Sequence, residues 1–299
     1  MTSPAPPQEV GGLPARFTKM CGAGNDFIVF GTAVEVGPRE AGTIRRACRR
    51  GTGVGADGVL FVVARGTDRG RPRFLADYFN SDGGRARFCA NGTRCAARFA
   101  ARATGATELL VETGWGEIPA TLLPDGEVKL QLPEPVAGGA EVGTFETGGR
   151  LLEPTGVALS VGVPHLVVFT AEGVDLEALD VAALGPPLRH HPELPEGANV
   201  SFVSRRGASR LSARAFERGV EGETLSCGSG VVAAAVVAAL RRGERPPLSV
   251  ATRSGILLTV DFRTEGGVAR EVTLTGDARF VFEGTLAEEG VLPGPLEER

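Results

Sequence analysis

The sequence predicts an α/β (α+β) fold of two similar halves, each with a curled sheet around one central helix. Three observations predict it. Short apolar runs between Gly- and Pro-rich turns recur along the 299 residues and indicate many short strands. Each half contains one strongly apolar helical stretch, and a helix that is apolar all round must be buried. A glycine and cysteine pattern occurs twice, with Cys89 and Cys227 138 residues apart.

The repeat covers two separate blocks of the chain. A shift of 138 residues places DYFNSDGGRARFCANG (residues 77–92) on AFERGVEGETLSCGSG (residues 215–230). The same shift places Gly24, in GAGNDFIVF, on Gly162, in VGVPHLVVF. We interpret the two halves as products of an ancient duplication.

Strand, turn and helix patterns alternate in the first half. The polar, Pro-rich residues 1–15 are predicted to be a disordered lead-in. Helices are predicted over residues 38–50 and from about Thr93 to Thr104. The predicted strands are FTKMC, FIVF, VLFVV, RFLADYFN, TELLVET, GEIPATLLP and GEVKLQLP. Residues 133–150 are rich in Pro and Gly and are the expected crossover to the second half.

The second half repeats this order. Strands are predicted in GRLLEPTGVALSVGVPHLVVFT, GANVSFVSRR, SRLSARAFERG, PPLSVATRSGILLTVDF and REVTLTGDARFVFEGTLA. DLEALDVAALGPPLRHH is predicted to be a helix that ends at its Gly-Pro pair, and VVAAAVVAAL is predicted to be the central helix. We therefore expect an N-terminal lobe over residues 16–134, completed by a C-terminal strand over 276–299, and a C-terminal lobe over 135–275.

Composition and charge exclude several classes of protein. The formal net charge of −4 argues against a dedicated nucleic-acid binder. No secretory signal and no apolar run of bilayer length is present, so a cytoplasmic location without membrane attachment is expected. Five cysteines without CxxC spacing and three histidines argue against a structural zinc site. GVGADG (residues 53–58) has the GxGxxG spacing, but a strand follows it where a dinucleotide-binding motif requires a helix.

Cys89 and Cys227 each precede a predicted helix start. Free amide N–H groups and the helix dipole at such a position lower the pKa of a thiol. One thiolate and one thiol on opposite faces of a carbon would form a base and an acid for inversion of that centre. Amides of Asn91-Gly92 and Gly228-Ser229 would stabilise a neighbouring carboxylate. No metal and no cofactor is then required.

The other three cysteines are expected to have different roles. Cys48 and Cys95 are expected in the core, where a lone cysteine is a small buried hydrophobe. Cys21, in the first glycine loop, is a further candidate for lining the site. A structural disulfide between Cys89 and Cys227 is an alternative to the acid–base pair, and it would abolish that chemistry.

The motifs of the chain resemble those of the diaminopimelate epimerase family. They occur in order from about Phe17 to Leu286: FTKMCGAGNDFIVF, GTGVGADG, YFNSDGGRARFCANGTRCAARF, GVPH, GANVSFV and AFERGVEGETLSCGSG. The resemblance implies two pseudo-symmetric α/β lobes, each a curled and mostly antiparallel sheet around a central helix, with the site in the cleft between them. It also implies cofactor-independent interconversion of LL- and meso-2,6-diaminopimelate for lysine and peptidoglycan synthesis, and a homodimer.

The resemblance assigns roles to the matching positions. Cys89 and Cys227 are the two catalytic bases. Polar side chains that bind the substrate are implied at Asn25, Asn80, Asn199, Glu217 and Arg218. Substrate contacts at the two helix starts are implied at Ala90, Asn91, Gly92, Gly228 and Ser229.

Four positions depart from the family pattern. Val163 stands in GVPH where many members have Asn, and Gly58 stands where some have Gln. Ala90 replaces the usual Gly, and Glu221 is an extra residue. Two other functions therefore stay open: a racemase of another amino acid, of the histidine or hydroxyproline type, on the same scaffold, and a non-catalytic ligand-binding relative.

Overall fold

The computed structural model describes residues 9–32, 41–134, 136–144, 147, 149–291 and 293. The chain divides into two compact units. Unit 1 comprises residues 1–128 and 278–299, and unit 2 comprises residues 129–277.

The strands of unit 1 are short and follow the predicted order. They are β1 (Glu9–Val10), β2 (Leu13–Pro14), β3 (Arg16–Gly22), β4 (Asn25–Thr32), β5 (Gly58–Asp68), β6 (Arg71–Asn80), β7 (Arg85–Ala86), β8 (Glu108–Thr113), β9 (Gly116–Leu122) and, near the C-terminus, the strand Arg279–Thr285. Its α-helices are α1 (Ala41–Cys48) and α2 (Ala90–Thr104), and a 3-10 helix spans Glu288–Gly290.

One sheet of unit 1 surrounds α2. The C-terminal strand Arg279–Thr285 pairs antiparallel with β3, which pairs antiparallel with β4. Strand β5 lies parallel to β4 and antiparallel to β6, and both β7 and β8 pair with β6. Helix α2 packs on β3, β4, β5, β6, β8 and β9. On the other face of the sheet, α1 and residues 10–17 cover a second apolar cluster that includes Leu13 and Phe61.

Unit 2 has the same construction. Its strands are β11 (Val136–Ala137), β12 (Ala140–Gly143), β13 (Thr155–Ser160), β14 (Pro164–Phe169), β15 (Asn199–Gly207), β16 (Arg210–Glu217), β17 (Gly222–Thr224), β18 (Leu248–Ala251), β19 (Leu257–Glu265) and β20 (Val268–Gly276), and β10 (Val128–Gln131) falls at the unit boundary. Its α-helices are α3 (Val181–Arg189) and α4 (Gly228–Arg242), and a 3-10 helix spans Leu176–Ala178.

The order of pairings in unit 2 repeats that in unit 1, as the sequence repeat predicts. Strand β14 lies parallel to β15, β15 antiparallel to β16, and both β17 and β18 pair with β16. The central helices begin at Ala90 and Gly228 and end before Gly105 and Gly243, whose φ angles are 73° and 70°. Glycine adopts this left-handed conformation without a steric penalty, so both helices end at equivalent positions.

Three local predictions differ from the structure. Helix α2 begins three residues before the expected Thr93, because Cys89 and not a later residue is its N-cap. Helix α3 passes through Gly185-Pro186-Pro187, where the sequence predicts its end. Residues 1–15 were predicted to be a disordered lead-in, and residues 1–8 of this segment lie outside the described chain. The described part is ordered, since β1 and β2 form a short antiparallel pair and Leu13 is buried. The predicted 38–50 helix is described only from residue 41, where α1 begins.

The predicted fold class is confirmed: both units combine α and β structure, with mostly antiparallel strands around a buried helix. Among the described strands, β4–β5 and β6–β8 in unit 1 and β14–β15 and β16–β18 in unit 2 pair in parallel. In the part of the chain that the structure describes, no helix combines the length and apolar character that a bilayer crossing requires.

Candidate active site

Cys89 is the N-cap of α2 in unit 1. Its backbone is extended (φ −143°, ψ 109°), and its Sγ accepts a hydrogen bond from the Gly92 amide at 3.4 Å. Its carbonyl accepts from the Thr93 amide at 2.8 Å and from the Thr93 hydroxyl at 2.9 Å. The sulfur therefore lies among the free amide donors of a helix start, where a thiolate is stabilised.

Cys227 occupies the same position at α4 in unit 2. Its backbone is extended (φ −111°, ψ 102°), and its carbonyl accepts from the Val231 amide at 2.9 Å. Its Sγ lies 3.7 Å from the Ser229 hydroxyl and makes no side-chain capping bond. Gly230 packs closely here: a Cβ at this position would lie 3.2 Å from the Cys227 sulfur and 2.7 Å from the Ser201 hydroxyl, so a larger residue would force one of these side chains to move.

A small cavity adjoins Cys227. It has a volume of about 10 Å³, and its lining includes the hydroxyl residues Ser201, Thr224, Ser226 and Thr252.

Two of the predicted asparagines meet beside Cys89. The Asn91 side-chain amide, on the first turn of α2, donates to the Asn25 amide oxygen at 2.6 Å. Asn25, the first residue of β4, donates to the Asp57 carboxylate at 3.1 Å. Arg94, which is fully buried, donates to the Asn91 oxygen at 2.7 Å. Asn25 and Asn91 thus form part of one hydrogen-bonded chain.

A charged cluster supports the Asn25 end of that chain. Arg50 binds both Asp26 (2.7 Å) and Asp57 (2.9 Å), and Lys19, which is buried, binds Asp26 at 2.7 Å and the Gly55 carbonyl. Burial tends to raise the pKa of Asp26, but the hydrogen bonds and charges of Arg50 and Lys19 outweigh it and lower that pKa. The cluster therefore keeps Asp26 ionised.

Asn80 ends β6, and its Cα lies opposite that of Gly58. Its side-chain amide makes no hydrogen bond to any residue of the described chain. Tyr78, two residues earlier, explains Gly58: a Cβ on Gly58 would lie 2.5 Å from the Tyr78 ring and 2.6 Å from the Phe79 carbonyl oxygen. The glycine at this departure from the family pattern is therefore a packing requirement.

The predicted polar residues of unit 2 also lie together. Asn199 begins β15, and its side-chain oxygen accepts from the Arg218 amide at 2.8 Å. The Arg218 guanidinium donates to the Glu196 carbonyl at 3.2 Å and pairs with no carboxylate of the described residues. Glu217 accepts from the Thr224 hydroxyl. A guanidinium without a carboxylate partner is suited to bind a substrate carboxylate.

His165, in the GVPH motif, is a buried neighbour that the sequence interpretation did not assign to the site. Its Cα pairs with that of Asn199, and its ring is 1% exposed. Burial first, and the charge of Arg218 second, lower its pKa from 6.5 to about 3. Neither ring nitrogen has a hydrogen-bond partner within the described residues. The imidazole is therefore neutral at physiological pH.

An aromatic pair adjoins Cys89. Phe88 packs edge-on against Trp115, with ring centroids 4.9 Å apart and an interplanar angle of 60°. Trp115 is the only tryptophan in the chain. The residue that precedes the candidate base is thus fixed by an aromatic contact.

The remaining predicted positions lie as follows. Ala90 and Gly92 form the first turn of α2, and Gly228 and Ser229 the first turn of α4. Glu221, the extra residue, has a φ of 54° and accepts from the Gly219 amide and from Arg189 in the turn between β16 and β17.

Cys21 lies on β3, opposite Asp26, and is half-buried. Arg94 and Asp57 were not predicted; an arginine in the first turns of the otherwise apolar helical stretch TRCAARFA is the signal that could have identified the first.

Comparison with known proteins identifies the family of the chain. The family model for diaminopimelate epimerase matches residues 17–137 and 157–281. The chain belongs to the diaminopimelate epimerase family. Relatives named diaminopimelate epimerase include those of Aquifex aeolicus, 39% identical over 92% of this chain and 98% of the relative, and of a Hydrogenobaculum species, 36% identical over 91% and 98%.

Solved structures with the same fold are more distant. A hydroxyproline epimerase from Agrobacterium vitis aligns with a TM-score of 0.62 at 16% identity, over 93% of this chain and 95% of that one. A phenazine biosynthesis protein of the PhzF family from Bacillus anthracis aligns with a TM-score of 0.65 at 16% identity, over 90% and 97%. These likenesses show that the diaminopimelate epimerase family shares its fold with other proteins.

Proposed function

We propose that this protein is an isomerase that converts LL-2,6-diaminopimelate to meso-diaminopimelate without a cofactor, with Cys89 and Cys227 as the acid–base pair. The observation that supports the proposal most strongly is the position of the two thiols. Each is the N-cap of an equivalent buried helix, within a chain of the diaminopimelate epimerase family.

The proposed reaction uses one thiolate and one thiol. The thiolate removes the α-proton on one face, and the thiol donates a proton to the opposite face, so the centre is inverted. Negative charge that develops toward the substrate carboxylate is stabilised by amide donors near Gly92 and Ser229 at the helix starts. The mechanism requires both sulfur atoms to reach the same carbon.

The substrate has a second amino-acid end that must be recognised but not inverted. The Arg218 guanidinium offers a bidentate site for a carboxylate. Asn80 offers a donor and an acceptor without a competing hydrogen bond in the described chain, and Asn199 is held against the Arg218 backbone at 2.8 Å. We assign these three residues, with Asn25, Asn91 and Glu217, to substrate binding.

Proton exchange provides the direct test. The enzyme is incubated with LL-diaminopimelate in deuterated water, and loss of the α-proton signal is followed by NMR. Cys89→Ser and Cys227→Ser are each expected to lower turnover by at least about 100-fold, since a hydroxyl is a far weaker acid than a thiol. Cys48→Ser, at a buried cysteine outside the site, is the control. Near-wild-type rates in both site variants would refute the two-thiol mechanism, and exchange of another amino acid in place of diaminopimelate would favour a racemase of different specificity.

The biological setting follows from this activity. The proposed product serves lysine and peptidoglycan precursor synthesis, and this role supports our proposal of a cytoplasmic location. The resemblance further supports a homodimer without a nucleic-acid or membrane partner. Sedimentation at micromolar concentration would test the dimer.

A further inference from the structure

The side-chain amides of Asn25 and Asn91 belong to a hydrogen-bonded chain with one cation and one anion at its ends. Arg94 donates to the Asn91 oxygen (2.7 Å), Asn91 donates to the Asn25 oxygen (2.6 Å), and Asn25 donates to Asp57 (3.1 Å). The four residues come from the first two turns of α2, the start of β4 and the loop before β5.

The chemistry of the two ends determines the orientation of both amides. A guanidinium has only donors, so Asn91 must direct its oxygen toward Arg94. The Asn91 NH₂ group then faces Asn25, which must accept through its own oxygen. An ionised carboxylate has only acceptors, so the Asn25 NH₂ group faces Asp57. Only one arrangement of donors and acceptors satisfies every link.

Both ends of the chain are themselves held in place. Arg94 is fully buried, and its second nitrogen donates to the Ala90 carbonyl at 3.3 Å. A buried guanidinium is stable only when its donors are satisfied. Asp57 also accepts from the Asp26 amide (3.2 Å) and from Arg50 (2.9 Å). Neither end can rotate without loss of several bonds.

We infer that Arg94 and Asp57 are positioning residues, which fix the amide orientations of Asn91 and Asn25 and thereby determine the atoms that the site next to Cys89 presents to its substrate. The inference rests on the proposed function, since it deepens the role of Asn25 and Asn91 in binding. Charge-assisted bonds at the two ends make the arrangement stronger than one made of neutral amides alone.

The test replaces each end by a group that can both donate and accept. Arg94→Gln and Asp57→Asn keep a polar side chain of similar size but permit the amides to rotate. Each is expected to lower kcat/KM for LL-diaminopimelate at least about tenfold, mainly through KM, while the pH dependence of kcat stays that of the wild type. Arg102→Gln, two turns further along α2 at an exposed ion pair with Glu283, is the matched control and is expected to retain wild-type KM.

The double variant separates positioning from general damage. If both residues act through the same pair of amides, Arg94→Gln/Asp57→Asn loses no more than about the worse single variant. Losses that multiply, or a single variant that folds with wild-type KM, would overturn the inference. Should Arg94→Gln fail to fold, Asp57→Asn decides alone, since its side chain is 37% exposed and tolerates a polar substitution.

A measurement that does not depend on catalysis distinguishes the positioning role of Arg94 and Asp57 from the proposed function of the protein. In protein labelled with ¹⁵N-asparagine, each single variant is expected to shift the side-chain NH₂ resonances of both Asn25 and Asn91. A shift confined to the amide next to the substituted residue would overturn the inference even in an active enzyme. If the variants show the coupled shifts but the wild-type protein does not exchange the α-proton of LL-diaminopimelate, the proposed function is refuted and the positioning role stays intact.

Discussion

The buried His165 makes the stability of the protein depend on pH in a calculable way. Its pKa is about 3 in the folded protein, whereas the ordinary pKa of a histidine is 6.5. Between these values the unfolded chain binds a proton that the folded chain does not. The contribution of His165 to the free energy of unfolding is therefore fully present above pH 6.5 and declines as the pH falls toward 3.

The magnitude follows from the shift. One pKa unit corresponds to about 1.36 kcal/mol, so lowering the pH from 7 to 5 is expected to reduce the free energy of unfolding by about 2 kcal/mol through His165 alone. His165→Leu removes the titrating group. The free energy of unfolding of this variant is expected not to show the His165-dependent fall between pH 7 and pH 5, whatever its value at pH 7. His190→Asn, at an exposed histidine, is the control.

Urea unfolding followed by far-UV circular dichroism at pH 7, 6 and 5 measures the effect. Groups other than His165 titrate equally in wild type and variant, so the difference between the two curves isolates its contribution. Parallel loss of stability in wild type and His165→Leu over this range would refute the view that the imidazole is buried and neutral.

Three further predictions concern single sites. Cys48, whose pKa burial raises to about 12, is expected to resist iodoacetamide at pH 8 in the native protein, as peptide mass mapping would reveal; rapid labelling would contradict its buried, protonated state. Gly58→Ala is expected to lower the free energy of unfolding by about 1–3 kcal/mol, because its Cβ would collide with Tyr78 and the Phe79 carbonyl; an unchanged denaturation midpoint would show that β5 can shift. Gly105→Ala and Gly243→Ala are each expected to cost about 1 kcal/mol in denaturant unfolding, since both positions are left-handed; a loss at only one would mean that the two helix ends are not equivalent.

The central features of the fold could be predicted from the sequence because they depend on local patterns. Glycine turns and apolar periodicity identify α2 and α4, and the 138-residue repeat predicts that both units have the same pairings. Cys89 and Cys227 lie at helix starts for the same reason. Their action on a common substrate stays a prediction.

The path of α3 could not be predicted, because tertiary packing outweighs a local signal there. Pro186 and Pro187 normally end a helix. Asp180 caps this one through the Ala183 amide at 3.1 Å, and Gly185 packs directly against the ring of Phe216, leaving no room for a Cβ. The buried faces of Val181 and Leu188 complete the packing.

The polar chain beside Cys89 was not predicted for a different reason. Its links join residues far apart in sequence: 66 positions separate Asn91 from Asn25, and 32 separate Asn25 from Asp57. No periodicity encodes such contacts. The departure at Gly58 likewise depends on a tertiary contact, because Tyr78 fills the space beside it.

The contact of Trp115 with Phe88 provides unit 1 with an intrinsic optical probe. Because no other indole is present, emission under selective excitation near 295 nm reports on Trp115, whose ring contacts Phe88, the residue that precedes the candidate base Cys89. Ligand entry or alkylation at that sulfur can thus be followed by stopped-flow emission on unlabelled, unmodified protein.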